Sequence, residues 1–591
     1  MPQQHDSSEG DGKISSFWDL RFNSQGSMTW ESENKTSREI CREVGSAGLV
    51  EFFMTKSENT NRLALEVEVV MNFCPEHILE ELESACPLAT VKNVSLLDDR
   101  TNDDTDRPSI SRGYLGPLNA YKLYLELQKR RFRCQKSDTQ TGSDGTQLQP
   151  DADRRLIFVT NLDPWTMMAI MATASLHQVG ALGTSFYRHL AFESFIGSHC
   201  PSNGLSTFFQ TFRLAFDLPY YVFRRAARRK PPQDHRGRGP NATHREATDL
   251  SFLTRIPAGS PPRFELEYLC QAQVSVLITG SDPWRWVAYC FVDNYFDQED
   301  TGDSPDVYDE DREVDEDTGV CHIQPDPLTA GGLDANFPIK GPREYFLAVL
   351  QARLRDIRVE WQKLVSELET LIGKYIQPGP IQTTTTTHHA SPNCHDIPTI
   401  MNSHVWADQT TALLRKLAQN LKMTIKQLES FEADKVFSTV AERAAISYIP
   451  TIREITEDFR KYQQKLEFLT DDCDYYQKRV RHELTFQLSY VGANDAKAQA
   501  IMAAYGQTMT FVMLFFFTPI ALAASVLSMQ PKVIPAPLRL DGTSFIILVI
   551  IFMVLIWSAV GVRLNWERIT QSLRRILKPD PDRRDLEYQE D

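Results

Sequence analysis

The chain has 591 residues, of which 24% are charged, and a formal net charge of -15. That length allows more than one domain. A mean hydropathy of -0.35 means that any membrane-seeking material must be local. The acidic balance argues against a broad nucleic-acid footprint, which would be basic, and no nucleotide-binding loop or nucleophile motif in the N-terminal part points to an enzyme. No catalytic residue and no bound cofactor is therefore expected.

Residues 1–340 read as a cytosolic mixed α/β domain. The N-terminus, Met1-Pro2-Gln3-Gln4-His5-Asp6, lacks the apolar core of a signal peptide. The ten cysteines are scattered without a single CxxC pair, a pattern of reduced thiols in a cytosolic compartment. Leu63–Phe73, Leu156–Leu162, Val274–Gly280 and Trp286–Phe296 are rich in β-branched and aromatic residues and are expected to be strands. Met167–His177 is a candidate helix between them. Two charged insertions, about 224–245 and 293–317, interrupt the domain. The first carries Arg224, Arg225, Arg228, Arg229, Lys230, Arg236 and Arg238, and the second carries Asp309, Glu310, Asp311, Glu313, Asp315, Glu316 and Asp317. Both read as solvated, disordered loops. The acidic run lacks the glycine and ligand spacing of a calcium loop.

Residues 341–505 read as helical. Leu350, Leu354, Ile357, Trp361, Leu364, Leu368, Leu371 and Tyr375 alternate in steps of four and three, a heptad seam that needs another helix, as in a coiled coil. A Thr-rich linker, 377–398, follows. His388, His389, Cys394 and His395 cluster there without the spacing of a zinc site. Helical pattern resumes near Ser403 with a break expected at Pro450. From Thr451 to Gln530 a continuous helix would be about 120 Å long at 1.5 Å per residue, a stalk extending far beyond a bilayer.

Two spans follow: 506–530 and 544–563, joined by an outer loop, 531–543, with a cytosolic tail at 564–591. No charge interrupts Ala498–Pro531 or Ser544–Val562, and each run matches the roughly 20 apolar residues that cross a bilayer. Two such runs so close together count against buried core helices. The short loop, with Pro535 and Pro537, makes them a hairpin. Lys478, Arg479, Arg481 and Lys497 precede it and Arg563, Arg568, Arg574, Arg575 and Lys578 follow, whereas the loop has only Lys532 and Arg539. The positive-inside rule places both termini in the cytosol, and the plasma membrane is expected rather than an organelle membrane. Trp557 and Trp566 suit an interfacial aromatic belt.

At 100° per residue, Gln507, Thr510, Thr518, Ser525 and Ser528 fall within one arc of about 80°, with Thr508 off it. Two readings follow. Several copies around an axis could bring such stripes together as the lining of a pore. Alternatively, the hydroxyls bond to their own i-4 carbonyls or join helices.

The stretch Phe517-Thr518-Pro519-Ile520-Ala521-Leu522-Ala523-Ala524-Ser525-Val526-Leu527-Ser528-Met529-Gln530 resembles the first span of the CorA-like magnesium transporter superfamily, where a Pro-containing apolar run leads into Gly-Met-Asn. Asp163-Pro164-Trp165, Arg188-His189-Leu190-Ala191-Phe192 and Gly280-Ser281-Asp282-Pro283-Trp284-Arg285-Trp286 look like the soluble domain of its divergent fungal branch. The resemblance implies a cytosolic α/β domain, a long helical stalk and a C-terminal two-helix hairpin, an α+β class overall. It implies a homopentamer in the lipid bilayer that passes divalent metal, with Mg²⁺ as the transported ion, and senses metal at acidic side chains between subunits; no particular metal ligand can be assigned. Ser528, Met529 and Gln530 occupy the place of the selectivity triplet. Gln530 keeps an amide oxygen but adds a methylene, Ser528 loses the backbone freedom of glycine, and Lys532 and Arg539 outweigh Asp541 in the loop. A membrane-anchored sensor or scaffold that keeps the fold without conducting is the alternative.

Overall fold

A computed structural model describes residues 35–45, 48–55, 64–101, 111–132, 150–199, 211–226, 243–254, 266–281, 283–297, 304–310, 313–314, 321–376, 396–433, 445–528 and 542–576, with positions 232, 234 and 236. They divide into two compact units, 1–388 with 399–480, and 389–398 with 481–591. Mixed sheet, long helices and a pair of apolar C-terminal helices are all present.

The first unit is built on an eight-stranded sheet: β1 (Asn93–Arg100), β2 (Ser111–Asn119), β3 (Arg154–Thr160), β4 (Phe195–His199), β5 (Phe212–Ala226), β6 (Ala247–Asp249), β7 (Leu266–Gly280) and β8 (Trp286–Val292). The order is β2-β1-β3-β8-β7-β5-β4, with β6 on β7. Only β3 and β8 pair in parallel; the other pairs are antiparallel. The strand expectations at 156–162, 274–280 and 286–296 are met by β3, β7 and β8. Gly280 closes the β7–β8 hairpin opposite Trp286, and a Cβ there would lie 2.3 Å from the Arg285 carbonyl oxygen.

Side chains alternate across this sheet. Ile157, Val159, Leu277, Val287 and Phe291 join one hydrophobic cluster with the helices α1 (Ser37–Val44), α2 (Leu49–Thr55), α3 (Ala64–Phe73), α4 (His77–Glu83), α5 (Pro87–Val91), α6 (Ala120–Leu127), α7 (Pro164–Thr173) and α8 (Leu176–Ala191). A short helix, α9 (Pro305–Glu310), and the strand pair β9 (Glu313–Val314) and β10 (Cys321–Ile323) follow the sheet in the chain.

Three sequence expectations need correction. Leu63–Phe73 is not a strand: its described part is helix α3. The alternation Leu65-Glu66-Val67-Glu68-Val69 mimics a strand, but Val70 is fully buried and Val67, Val69, Met71 and Phe73 pack on the helical cluster, so tertiary packing overrides β propensity. Met167–His177 is not one helix; Ala174 is extended and Ser175 caps a new helix through a capping box with Gln178. The insertion 224–245 is not simply solvated. Arg224 and Arg225 belong to β5, and Arg236 and Arg245 are enclosed in ion pairs with Asp234 and Asp293. A guanidinium this deep needs carboxylates, and two lie within reach. In 293–317, Asp293 is buried and the stretch includes α9 and β9.

The seam helix is α10 (Pro342–Ile376), joined by α11 (Asp396–Glu432) and the first part of α12 (Ala445–Val512). Leu350, Leu354, Ile357, Trp361, Leu364, Leu368 and Leu371 are all buried. Buried apolar residues also recur at three- and four-residue steps on their partners: Leu414, Leu417, Leu421, Ile425 and Leu428 on α11, and Leu466, Leu469, Cys473, Tyr476 and Val480 on α12. Arg358–Asp458 and Lys465–Glu369 tie α10 to α12 in parallel, and Arg415–Asp474 and Arg460–Glu429 tie α11 to α12 antiparallel. One aromatic from each helix meets at one end: Tyr375 stacks on Trp406 at 3.8 Å, and Tyr476 stands edge-on to both. Seams on three helices make a bundle. Pro450 lies inside α12 rather than breaking it. Phe346 and Tyr345 of α10 dock on Phe216 and Trp286 of the sheet.

Candidate functional site

The sequence singles out the C-terminal helices. The first candidate span is helical as far as Leu527, in three pieces: the end of α12, a π-helical turn (Met513–Phe517), and α13 (Thr518–Leu527). The second is α14 (Gly542–Ile576). Both are long and apolar enough to cross a membrane, with mean hydropathies of 2.2 and 2.7 over their most apolar windows. A soluble core helix would be enclosed; these windows are only 11% and 6% buried, and Phe511, Phe516, Ile520, Ile547, Ile551 and Leu555 stand exposed. An all-round apolar, exposed surface suits hydrocarbon.

Pro519 explains the π turn. It has no N–H for the carbonyl four residues back, and its ring crowds that carbonyl. The preceding turn widens: the Thr518 backbone N–H and Oγ1 both donate to the Met513 oxygen, the latter at 2.9 Å. One extra residue in a turn rotates everything before it by about 100° relative to everything after. The single arc of five polar residues, calculated for a uniform helix, is therefore divided. Thr518, Ser525 and Ser528 remain together within about 80° and Thr510 comes to within about 20° of Thr518, whereas Gln507 is turned about 80–160° away from the three.

Pro519 and Ala523 are the buried positions of α13, and Leu548 of α14 is buried. Phe515 meets Trp557 edge-on at 5.6 Å. The Pro519–Ala523 face is centred about 160° from the Thr518–Ser525–Ser528 face, so the polar side of α13 is turned away from its packed side. The hydroxyls of Thr508, Thr510 and Ser528 donate to Ala504, Gly506 and Ser525 oxygens at 2.8–2.9 Å. Each donor proton is thus satisfied within its own helix, while the oxygen lone pairs stay outward. Gln507, Thr510, Ser525 and Ser528 are exposed and Thr518 is half-buried. Met529, Gln530 and the outer loop to Asp541 lie outside the described residues, as do His388, His389, Cys394, His395 and the side chain of Trp566.

Sequence reasoning missed a second polar feature, inside the sheet unit. Asp293, fully enclosed, accepts from Arg236 Nη1 at 2.8 Å and from Arg245 Nε at 2.7 Å. Asp234 holds Arg236 from the other side at 2.7 Å. Burial acts to raise the Asp293 carboxyl, but Arg236, Arg245 and His189 outweigh it and hold it well below the usual carboxylate range. His189 Nε2 lies 3.6 Å from Asp293, and its Nδ1 is 3.0 Å from Ser275 Oγ. Burial, opposed by Asp293, pushes the imidazole down. This Ser275–His189–Asp293 line has the order of a hydrolytic relay, but each member is at most 1% exposed, which leaves a substrate no approach. The arrangement is structural. Signals for it were in the sequence, Arg188-His189 and a basic run, but the partners are distant in the chain.

Beside it, Asp217 pairs with Ser275 across the β5–β7 ladder. Among the described residues neither of its oxygens has a hydrogen-bond partner within bonding geometry, and Arg188 is 4.0 Å away. Burial, only partly opposed by Arg188, raises its pKa to about 7. Among the described residues no group of three or more His, Cys, Asp or Glu is placed to hold a metal ion.

No family model matches the chain, and no curated protein does. Among solved structures it is similar to the complete structure of the CorA magnesium transporter from Methanocaldococcus jannaschii, at 8% identity and a TM-score of 0.26, over 80% of this chain and 98% of that one. A likeness of that size adds no weight to the architecture described above.

Proposed function

We propose that the chain is a CorA-like membrane transporter that passes divalent metal, Mg²⁺ first, by passive permeation through a homo-oligomeric pore, probed best as a pentamer. The observation that supports this reading is the division of α13 into two sides. Its packed side, Pro519 and Ala523, leaves the polar side, Thr518, Ser525 and Ser528, without an occupant in a single chain. Polar side chains in a span face a bundle interior or water rather than lipid, and symmetric copies provide that interior. In this reading both termini are cytosolic, the membrane is the plasma membrane, and Ser528, Met529 and Gln530 stand at the outer mouth with Gln507 and Thr510 further inward. The Gln530 amide oxygens then accept hydrogen bonds from the water shell that Mg²⁺ sheds reluctantly.

A second reading, a non-conducting anchored sensor or scaffold, draws support from specific features. The π turn rotates Gln507 off the shared arc, and the described threonine hydroxyls of the span donate to their own helix. Purified protein in liposomes, with a fluorescent Mg²⁺ indicator inside, separates the two. The transporter reading expects influx above empty liposomes, a sharp loss in Gln530→Ala, and retained or greater flux in Gln530→Asn with Ser528→Gly. Flux equal to empty liposomes for all three overturns it in favour of the scaffold.

A further inference from the structure

The sheet unit contains a cavity of about 40 Å³, room for a few waters or one small oxyanion. Its lining includes Arg155 and Tyr289 from β3 and β8, Lys129, Arg130 and Arg131 just after α6, and Ser175 with Gln178 at the start of α8. Four lining residues are cationic and none is a carboxylate.

The donors are fixed before any ligand arrives. Arg155, a buried side chain, gives Nε and Nη2 to the two Asp99 oxygens, both at 2.7 Å. That bidentate pair orients the guanidinium, and among the described residues no hydrogen bond uses its Nη1. Gln178 is 9% exposed. Its Oε1 accepts from the Ser175 backbone N–H at 3.3 Å and from the Tyr289 hydroxyl at 2.9 Å. The backbone donor fixes the amide orientation, because only oxygen can accept there. Burial pushes the Tyr289 hydroxyl up, so it stays a donor. Among the described residues no hydrogen bond uses Gln178 Nε2. Arg131 is held by the Ala152 and Asp153 carbonyls at 2.8–3.0 Å and its charge also acts on Asp99, while Lys129 is ion-paired with Glu126 at 2.6 Å.

We infer that this cavity binds a small tetrahedral oxyanion, the phosphate group, with Arg155 Nη1 and Gln178 Nε2 as its donors and Lys129, Arg130 and Arg131 supplying the field. Neither donor meets an acceptor among the described residues, and an anion engages both at once. Charge-assisted bonds in a low-dielectric recess are the strong ones. The inference is independent of whether the C-terminal helices conduct.

The test is isothermal titration of the purified full-length protein in detergent with inorganic phosphate, with glycerol 3-phosphate in a parallel arm and sodium chloride as the ionic-strength control. Gln178→Glu is the decisive variant. A glutamate keeps the capping box and the acceptor for Tyr289, but replaces the amide donor with a second carboxylate oxygen facing the anion. Phosphate binding by the wild type, weakened at least about tenfold in Gln178→Glu with unchanged circular dichroism, is the expected result. Arg155→Lys keeps a cation beside Asp99 but removes the Nη1 arm, and is expected to weaken binding in the same direction. Tighter binding of either phosphate form supports the site and identifies whether its ligand is the free ion or a monoester. No phosphate-specific heat from the wild type, or equal affinity in a folded Gln178→Glu, overturns the proposal; the wild-type titration decides alone if the variants fail to fold.

Discussion

Polar groups are handled in two opposite ways in this molecule. In the sheet unit, Asp293, Arg236, Arg245 and Asp234 are enclosed and satisfy one another across long stretches of chain. In the first apolar span, Thr508, Thr510, Thr518 and Ser528 satisfy their protons on carbonyls three to five residues away. The first arrangement is a set of mutual obligations, in which removing one partner strands the others. The second is local, so removing a hydroxyl strands nothing. Polarity in the sheet unit ties distant parts of the fold together; polarity in the span is satisfied within its own helix.

The strongest attempt to break that contrast is Asp293→Ala. It leaves Arg236 and Arg245 enclosed without their shared carboxylate, and the expected loss is roughly 3–5 kcal/mol. Thermal unfolding of the detergent-purified protein measures it. A wild-type melting temperature in the variant would mean that water or another acid takes over, and the network would not hold the fold.

Asp217 sharpens the comparison through pH. Its folded pKa, raised to about 7, lies above the ordinary value near 3.8. Between those values the folded chain holds a proton that the unfolded chain has released, so stability falls as pH rises from about 4 through 7. Asp217→Asn removes this dependence. The variant is expected to match the wild type near pH 4 and to exceed it above pH 8, by an amount on the order of a few kcal/mol. Parallel melting curves at every pH would show that Asp217 is not protonated in the folded protein.

A geometric test comes next. Pro519→Ala restores the missing N–H, which allows the turn at 513–517 to close as regular α-helix. Spin labels at positions 510 and 525 should then report faces rotated by about 100° relative to the parent. An unchanged label pattern would mean that the aromatic packing of Phe515 on Trp557, rather than proline, sets the π turn. The smallest effect is expected for Thr510→Val. With its proton satisfied by the Gly506 oxygen, the hydroxyl should contribute less than about 0.5 kcal/mol to stability; a larger loss, read by the same melting assay, would place Thr510 in a contact between copies.

What could be read in the sequence was what repeats or runs locally. The seam from Leu350 to Leu371 needed only its own spacing, and both apolar spans needed only length and hydropathy. What could not be read depended on distant partners or on backbone response. Arg236 and Arg245 looked solvated because Asp293 is far along the chain. Leu65–Val69 alternated like a strand, and only the helices packed around Val70 decide otherwise. The phase of Gln507 and Thr510 relative to Ser525 required knowing that Pro519 would be absorbed by a π turn rather than a kink. Ser528, Thr518 and Ser525 share a face because no irregularity falls between them. Arg155 and Gln178 carried no recognisable spacing at all, since β3 and α8 bring them together only in the folded sheet.

The aromatic trio at the end of the helical bundle gives the molecule an optical signature. Tyr375 and Trp406 stack with their ring planes nearly parallel, 5° apart, with Tyr476 edge-on, and each comes from a different helix. Rings fixed this closely in an asymmetric setting absorb left and right circularly polarised near-ultraviolet light unequally, a signal lost when side-chain packing loosens even where helices persist. The bundle therefore contributes to an intrinsic signal: the part of the near-ultraviolet band that is lost in Trp406→Phe belongs to this trio, and its collapse while the far-ultraviolet helical spectrum survives would mark loosened packing of α10, α11 and α12 without any label being attached.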